Sequence, residues 1–291
     1  YRAGRVLRAS EVITAAGGKG INVARAAAVL GGDVMCAGLL AGHTGRLTAE
    51  LASREGLDSV WTWIDGETRT TLIVVDSEGG DATVINEPGP KVTAADWNRL
   101  RSNVARAARR AEGVCICGSM PPGCPDDGLE NLVQDVRPAA RAVWVDTSGS
   151  ALEEALRCKP SGIKVNADEL GDILGQPIVD ARQAVGAARQ VQRLGVPHVV
   201  VTMGQDGAVM VDDRGAWWAR PPELRIVSAG GSGDAFLAGF LVSLLQDQPG
   251  VHALRRATAA GSASALRASA RLEHVDIERM RPQVRIVVLE E

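Results

Sequence analysis

From residue 93 onward the chain keeps two hydrophobic rhythms. Short apolar runs at 113–118, 141–146, 161–165 and 198–202 alternate with longer segments whose apolar residues recur every three to four positions. The runs read as strands, and the segments 93–110, 126–137, 150–157, 167–174 and 181–194 read as helices. Strands apolar throughout, set between amphipathic helices, predict a parallel sheet covered on both faces. Strands at 207–212 and 216–219 are expected to form a hairpin across Asp213–Gly215. Helices at 233–246 and 251–267 and a strand at 284–289 close the chain.

The N-terminal part is patterned differently. Residues 5–15 alternate loosely and read as a strand, followed by an alanine-rich helix, a strand at 33–40 and a helix at 44–55. Three short β-type runs follow: Val60–Ile64, Thr70–Asp76 and Ala82–Asn86. Asp65-Gly66 and Glu78-Gly79-Gly80 separate them and suit hairpin turns. The expectation is one domain, residues 1–291, with lid strands within 1–16 and 60–87 and a core of 17–59 and 88–291.

Two places join glycines directly to a helix. In Ser228–Leu245, Leu237, Phe240, Leu241, Leu244 and Leu245 share one helical face, so the helix starts near Gly233-Asp234. Unpaired N–H groups and the positive dipole end then meet bare backbone, which makes an anion site. Asp234 either caps this helix or accepts a proton. The other junction is Gly17-Gly18-Lys19-Gly20. Polar or glycine-rich loops at 118–123, 146–149, 164–169 and 202–207 fall at the carboxyl ends of strands, where open α/β sheets bind ligands.

Composition narrows the classes. A hydrophobic share of 45%, a charged share of 23% and a net charge of -3 describe a globular protein and argue against nucleic acid as a partner. No apolar run approaches the ~18 residues of a membrane span, so no membrane partner is expected and the cytoplasm is the expected compartment. Five cysteines without repeated spacing do not form a disulfide framework. Cys115 and Cys117 read as a buried thiol pair on one strand face. The four histidines are scattered without metal or triad spacing.

With these residues in view, the chain resembles the ribokinase-like (PfkB) sugar kinases over essentially its whole length. The likeness is carried by Gly17–Arg25, Gly66-Glu67-Thr68-Arg69-Thr70, the Asn166/Glu169 pair, Thr202–Gly207 and Gly231–Asp234. More narrowly it is similar to the branch of 1-phosphofructokinase and tagatose-6-phosphate kinase. The resemblance implies a ribokinase-like three-layer α/β/α sandwich with a mostly parallel central sheet and a small β-sheet lid. It implies Asp234 as general base and the backbone of Gly231, Ser232 and Gly233 as an anion hole. Asn166 and Glu169 would hold Mg²⁺, Asn166 through water. Lys164, Asn166, Thr202, Gly204, Gly207, Ala260 and Ser264 would meet ATP. Gly18, Lys19, Asn22 and Arg69 would bind the sugar phosphate, with Arg69 on its phosphate and Arg5 and Arg8 adding positive charge. A homodimer through the lid strands is implied as well.

The family usually opens with a core strand bearing an acidic sugar ligand, and nothing of that kind precedes Tyr1. The expectation is that this first core strand is missing from the sequence. The leading reading is a Mg-ATP-dependent kinase acting on a ketohexose monophosphate, with fructose 1-phosphate favoured over fructose 6-phosphate and tagatose 6-phosphate. A kinase of an unphosphorylated sugar or nucleoside and a non-catalytic sugar-phosphate-binding regulator are the alternatives. A dinucleotide oxidoreductase lacks its G-x-G-x-x-G context, and a P-loop kinase lacks its motif.

Overall fold

The computed structural model describes residues 6, 8–75, 82–224, 230–266 and 272–290. Its strands are β1 (Met35–Ala41), β2 (Asp58–Ile64), β3 (Thr71–Val75), β4 (Ala82–Asn86), β5 (Gly113–Cys117), β6 (Ala142–Asp146), β7 (Gly162–Asn166), β8 (His198–Thr202), β9 (Ala208–Asp212), β10 (Gly215–Arg220) and β11 (Arg285–Glu290). The helices are α1 (Lys19–Val29), α2 (Gly42–Arg54), α3 (Ala94–Ala108), α4 (Gly128–Val136), α5 (Ser150–Cys158), α6 (Ala167–Leu174), α7 (Ala181–Arg193), α8 (Ser232–Leu245), α9 (Gly250–Ala265) and α10 (His274–Met280).

Seven strands form the central sheet in the order β11-β10-β9-β8-β7-β6-β5. From β5 to β8 they run parallel, and from β8 to β11 each neighbour is antiparallel. The sheet is therefore mixed. Strand period explains its layers: Val143 and Val145 face α4 to α7, while Trp144 between them faces α8. Helices α4, α5, α6 and α7 cover the first face, and α1, α8, α9 and α10 cover the second. This is the three-layer α/β/α arrangement expected.

Helix α8 departs from its one-sided pattern. Asp234 through Phe240 are all buried, because α1 and α9 as well as the sheet press on it. Gly239 permits the closest approach: a Cβ there would lie 3.0 Å from Ala257 Cα and 3.2 Å from Ala260 Cβ. Along Asp234–Phe240 the helix is thus enclosed on every side, whereas Leu241, Leu244 and Leu245 of the predicted face are only half-buried.

Several N-terminal expectations are corrected. Residues 8–17 contain no strand, so the first lid strand is absent from the described part of 1–16; Arg5 lies outside the described residues. β2 belongs to the body, since it pairs in parallel with β1 from Asp58↔Met35 to Ile64↔Ala41. Asp65-Gly66 is consequently no hairpin turn. Among the described residues, β3 and β4 alone of the expected lid strands pair with each other, antiparallel, as a separate two-stranded sheet, and the turn expected at 78–80 lies outside the described residues. α10 was not anticipated.

The β1–β2 pair is not hydrogen-bonded to the seven-stranded sheet. Between β1 and β5 lies a slot, and every residue of β5 is only half-buried. The slot is part of one cavity of about 2760 Å³ that also reaches Gly18, Lys19, Asn22, Arg69, Ser119 and Gly231.

Candidate active site

Two helix starts converge at the carboxyl end of the sheet. Gly18 (φ 107°) begins α1 and Gly231 (φ 82°) begins α8, each in backbone that favours glycine and without a side-chain cap. Asn22 on α1 donates from Nδ2 to Asp234 Oδ2 on α8 at 2.8 Å. Asp234 is buried. Burial pushes its carboxyl above the ordinary value, the Asn22 hydrogen bond works downward, Asp146 adds to the rise, and Lys164 and Lys19 offset part of it. A carboxylate shifted upward in a cleft suits a proton acceptor. Asp234 makes no capping hydrogen bond to its own helix.

Beneath it sits a buried ion cluster. Asp146, at the end of β6, accepts from Lys19 Nζ at 2.8 Å and from Lys164 Nζ at 3.0 Å. Register explains the second contact: Trp144 pairs with Gly162 and Val145 with Ile163, which sets Asp146 beside Lys164 on the same face. Burial of Lys19 works against its charge, yet Asp146 outweighs it, with Glu169 and Asp234 contributing, and its pKa rises. A Cβ on Gly233 would come 3.0 Å from Lys164 Nζ. The ammonium therefore lies directly under the bare start of α8. Ser232 Oγ is buried there without a hydrogen-bond partner. An orphaned hydroxyl, free helix N–H groups and a lysine fit a phosphate group of ATP.

Asn166 and Glu169 form a capping box at α6: Asn166 Oδ1 accepts from Glu169 N at 2.7 Å, and Glu169 Oε2 accepts from Asn166 N at 3.1 Å. The box holds both side chains at the mouth of the site, and Glu169 is close enough to Lys19 to favour its charge. A carboxylate with one oxygen used in the cap fits the sparse, water-rich ligation that Mg²⁺ accepts. Thr202 ends β8, and Gly204 (φ 57°) and Gly207 (φ 90°) shape the turn behind it. Gly207 is structurally obliged, because a Cβ would lie 2.0 Å from Ala219 O. Ala260 and Ser264 are fully buried on α9, so they are not at the cleft surface; Ser264 Oγ has no hydrogen-bond partner.

Arg69 is exposed at the cavity, with Nη2 3.5 Å from Ser119 Oγ in the loop after β5. Its neighbour Glu67 explains why the segment sits there. Glu67 Oε2 accepts from Thr44 N at 3.0 Å and Thr44 Oγ1 at 2.9 Å, and Oε1 meets His43 Nδ1 at 3.2 Å, at the start of α2. Backbone donors of His43 and Thr44, with their side chains, lower its pKa to about 2. A Cβ on Gly42 would collide with this carboxylate at 2.1 Å.

The sequence pattern missed Asp146, Arg25, Glu55 and Glu67 as contributors. A signal existed for Asp146, an acid ending an otherwise apolar strand. Cys115 and Cys117 have Sγ atoms 3.2 Å apart, and both thiols are half-buried and free.

The model for pfkB family carbohydrate kinases matches residues 2–276. A protein named 1-phosphofructokinase from Xanthomonas campestris is 34% identical over 284 residues, 96% of this chain and 87% of that protein. A tagatose-6-phosphate kinase from Staphylococcus epidermidis is 28% identical over 264 residues, 90% of this chain and 84% of its own length. The crystal structure of phosphofructokinase-2 from Escherichia coli in complex with potassium superimposes with a TM-score of 0.91 at 27% identity, covering 97% of this chain and 92% of that one. With the family model spanning most of its length, the chain belongs to the pfkB family of carbohydrate kinases.

Proposed function

We propose that the protein transfers the γ-phosphoryl group of Mg-ATP to a hydroxyl of a ketohexose monophosphate, with fructose 1-phosphate as the preferred acceptor. The observation that carries this reading is Asp234, a buried carboxylate held by Asn22 at a helix start beneath which Lys164 lies. In the reaction, Asp234 takes the hydroxyl proton as the sugar oxygen bonds to the γ-phosphorus. The bond to the bridging oxygen breaks, and ADP leaves with its electron pair. N–H groups of Gly231, Ser232 and Gly233 stabilise charge on the transferring group, since phosphoryl transfer depends on positioning and electrostatics. Magnesium, when bound, neutralises phosphate charge, and Glu169 with Asn166 through water would hold it.

The acceptor's own phosphate is assigned to Arg69 and Lys19, both on the large cavity. A guanidinium matches phosphate bidentately. The names of the relatives support phosphorylated ketoses as the class and favour fructose 1-phosphate. Exposed apolar side chains on both strands of the lid, Leu72, Ile73, Val84 and Ile85, support a homodimer joined there, because an isolated two-stranded sheet is marginal. Free thiols suit a reducing compartment, and the reading puts the enzyme in the cytoplasm.

The test is ADP release with Mg-ATP against fructose 1-phosphate, fructose 6-phosphate, tagatose 6-phosphate, fructose and ribose. Fastest turnover on fructose 1-phosphate is expected. Preference for either 6-phosphate would reassign the acceptor within the class. Turnover of unphosphorylated sugars alone would overturn the role of Arg69. In Arg69→Ala, KM should rise far more for the sugar phosphate than for its unphosphorylated analogue.

A further inference from the structure

Asn22 is itself held from behind. Its Oδ1 accepts from Arg25 Nη1 at 3.0 Å, one helical turn on in α1. Arg25 is anchored in turn: Nη2 donates to Ala16 O at 2.8 Å and to Glu55 Oε1 at 3.0 Å, and Nε donates to Glu55 Oε2. Glu55 is the residue that ends α2. A continuous line of hydrogen bonds therefore runs from the surface to the carboxylate: Glu55, Arg25, Asn22, Asp234.

This line removes an ambiguity. A primary amide can turn its oxygen or its nitrogen either way, but a guanidinium has only donors. Arg25 therefore requires the Asn22 oxygen, and the nitrogen must face Asp234. With the amide reversed, its oxygen would meet the carboxylate and repel it. One hydrogen of Nδ2 goes to Asp234 Oδ2, and the second remains for a sugar hydroxyl, so Asn22 serves both the base and the acceptor.

We propose that Arg25 is a positioning residue for phosphoryl transfer: it fixes the Asn22 amide so that Asp234 Oδ2 is occupied and Oδ1 is left for the accepting hydroxyl. The inference rests on the reading of Asp234 as general base. The competing account is a partly exposed ion pair tying α1 to α2, which would contribute little and touch no step of catalysis. The charged and titratable groups facing Asp234 are Lys19 on α1, Asp146 on β6, Lys164 on β7 and Cys117 on β5. None of them contacts Arg25 through a hydrogen bond among the described residues.

The experiment compares Arg25→Met, Asn22→Ala and the double variant with the unaltered chain, using Mg-ATP and fructose 1-phosphate, or whichever ketohexose phosphate is turned over fastest. Arg25→Met is expected to lower kcat by about ten- to a hundredfold, the scale for a lost hydrogen bond to a charged group. KM for ATP should stay within about twofold, because uniform nucleotide binding is untouched. The acidic limb of the kcat profile should move to higher pH, since the donor that holds the Asp234 carboxyl down is loosened. The double variant should be no slower than Asn22→Ala, because Arg25 acts through that amide. An undiminished effect of Arg25→Met in the Asn22→Ala background, or an unmoved acidic limb, would overturn the proposal. If Arg25→Met does not fold, Arg25→Lys decides: it keeps the charge, reaches only one of the partners, and should move the limb part of the way. An unmoved limb there also overturns it. Asp234→Asn is the separate control: if it retains full activity, the base assignment fails, whatever Arg25 does.

Discussion

Asp146 offers the sharpest test of how the site is held together. Its carboxylate is fully buried and shared by two lysines, whose side chains differ in exposure, 35% for Lys19 and 6% for Lys164. In Asp146→Asn the shape is kept and the charge is lost. Lys19 can turn its ammonium to solvent, so its share is discounted to about 0–1 kcal/mol. Lys164 cannot, and leaving one member of a buried pair uncompensated costs roughly 3–5 kcal/mol. For 291 residues, an unfolding entropy of about 2.1 cal/mol/K per residue gives near 0.6 kcal/mol/K. The expected drop in Tm is thus about 5–10 °C, read by circular dichroism during thermal unfolding at pH 7. Adding Lys164→Met should recover most of the loss, because replacing both members of a buried pair with apolar volume is close to neutral. A loss in the single variant no larger than that of a surface pair, or no recovery in the double one, would refute the account. Turnover should fall in both: the single variant loses the carboxylate that fixes the Lys164 ammonium beneath Gly233, and the double variant loses the ammonium itself.

Other consequences follow from single contacts. Asp234→Asn should lower kcat by ~10²–10⁴-fold yet raise Tm at pH 7. The fold raises this carboxyl's pKa, so its contribution to stability is full below the unfolded value and is lost as pH rises through the folded one, leaving the ionised group a burden at neutrality. Removing the Glu67 cap in Glu67→Gln should lower Tm at pH 6. Here the fold lowers the pKa from 4.5 to about 2, so the Tm gap between the two proteins is full above the first value and closes as pH falls through the second. Gly207→Ala should destabilise by roughly 2 kcal/mol or more, since left-handed backbone strain is joined by a clash with Ala219 O. Gly204→Ala, with open space at its Cβ, should cost only about 1–2 kcal/mol in a denaturant titration.

What the sequence made legible, and what it hid, divides along physical lines. Glycine before a helix is a local signal, and both junctions are found: α1 follows Gly18, and α8 starts at Ser232, slightly ahead of the Gly233-Asp234 start that the pattern gives. Apolar runs between amphipathic segments report burial on both faces, so β5 to β8 and the helices between them were readable. Pairing partners are not local. Trp61-Thr62-Trp63-Ile64 has the composition of a strand whether it belongs to a lid or to the body, and only its parallel register with β1 decides. The pattern of α8 described one apolar face because periodicity cannot report three neighbours at once. Site residues followed the same rule. Asp234 announced itself because its neighbours in sequence make the anion site. Asp146 looked like the ordinary start of a turn, since Lys19 and Lys164, which give it meaning, stand 127 and 18 positions away. Arg25 stands at the end of the Gly17–Arg25 motif, yet what it does there is hidden in the sequence, because its anchor Glu55 lies 30 positions on, at the end of another helix. Groups that carry the chemistry can therefore be found in a motif, whereas groups that aim them are defined by contacts formed only when α1, α2, α8 and the sheet meet. Variants of the second kind should accordingly change kcat and its pH dependence without removing any group that touches the substrate.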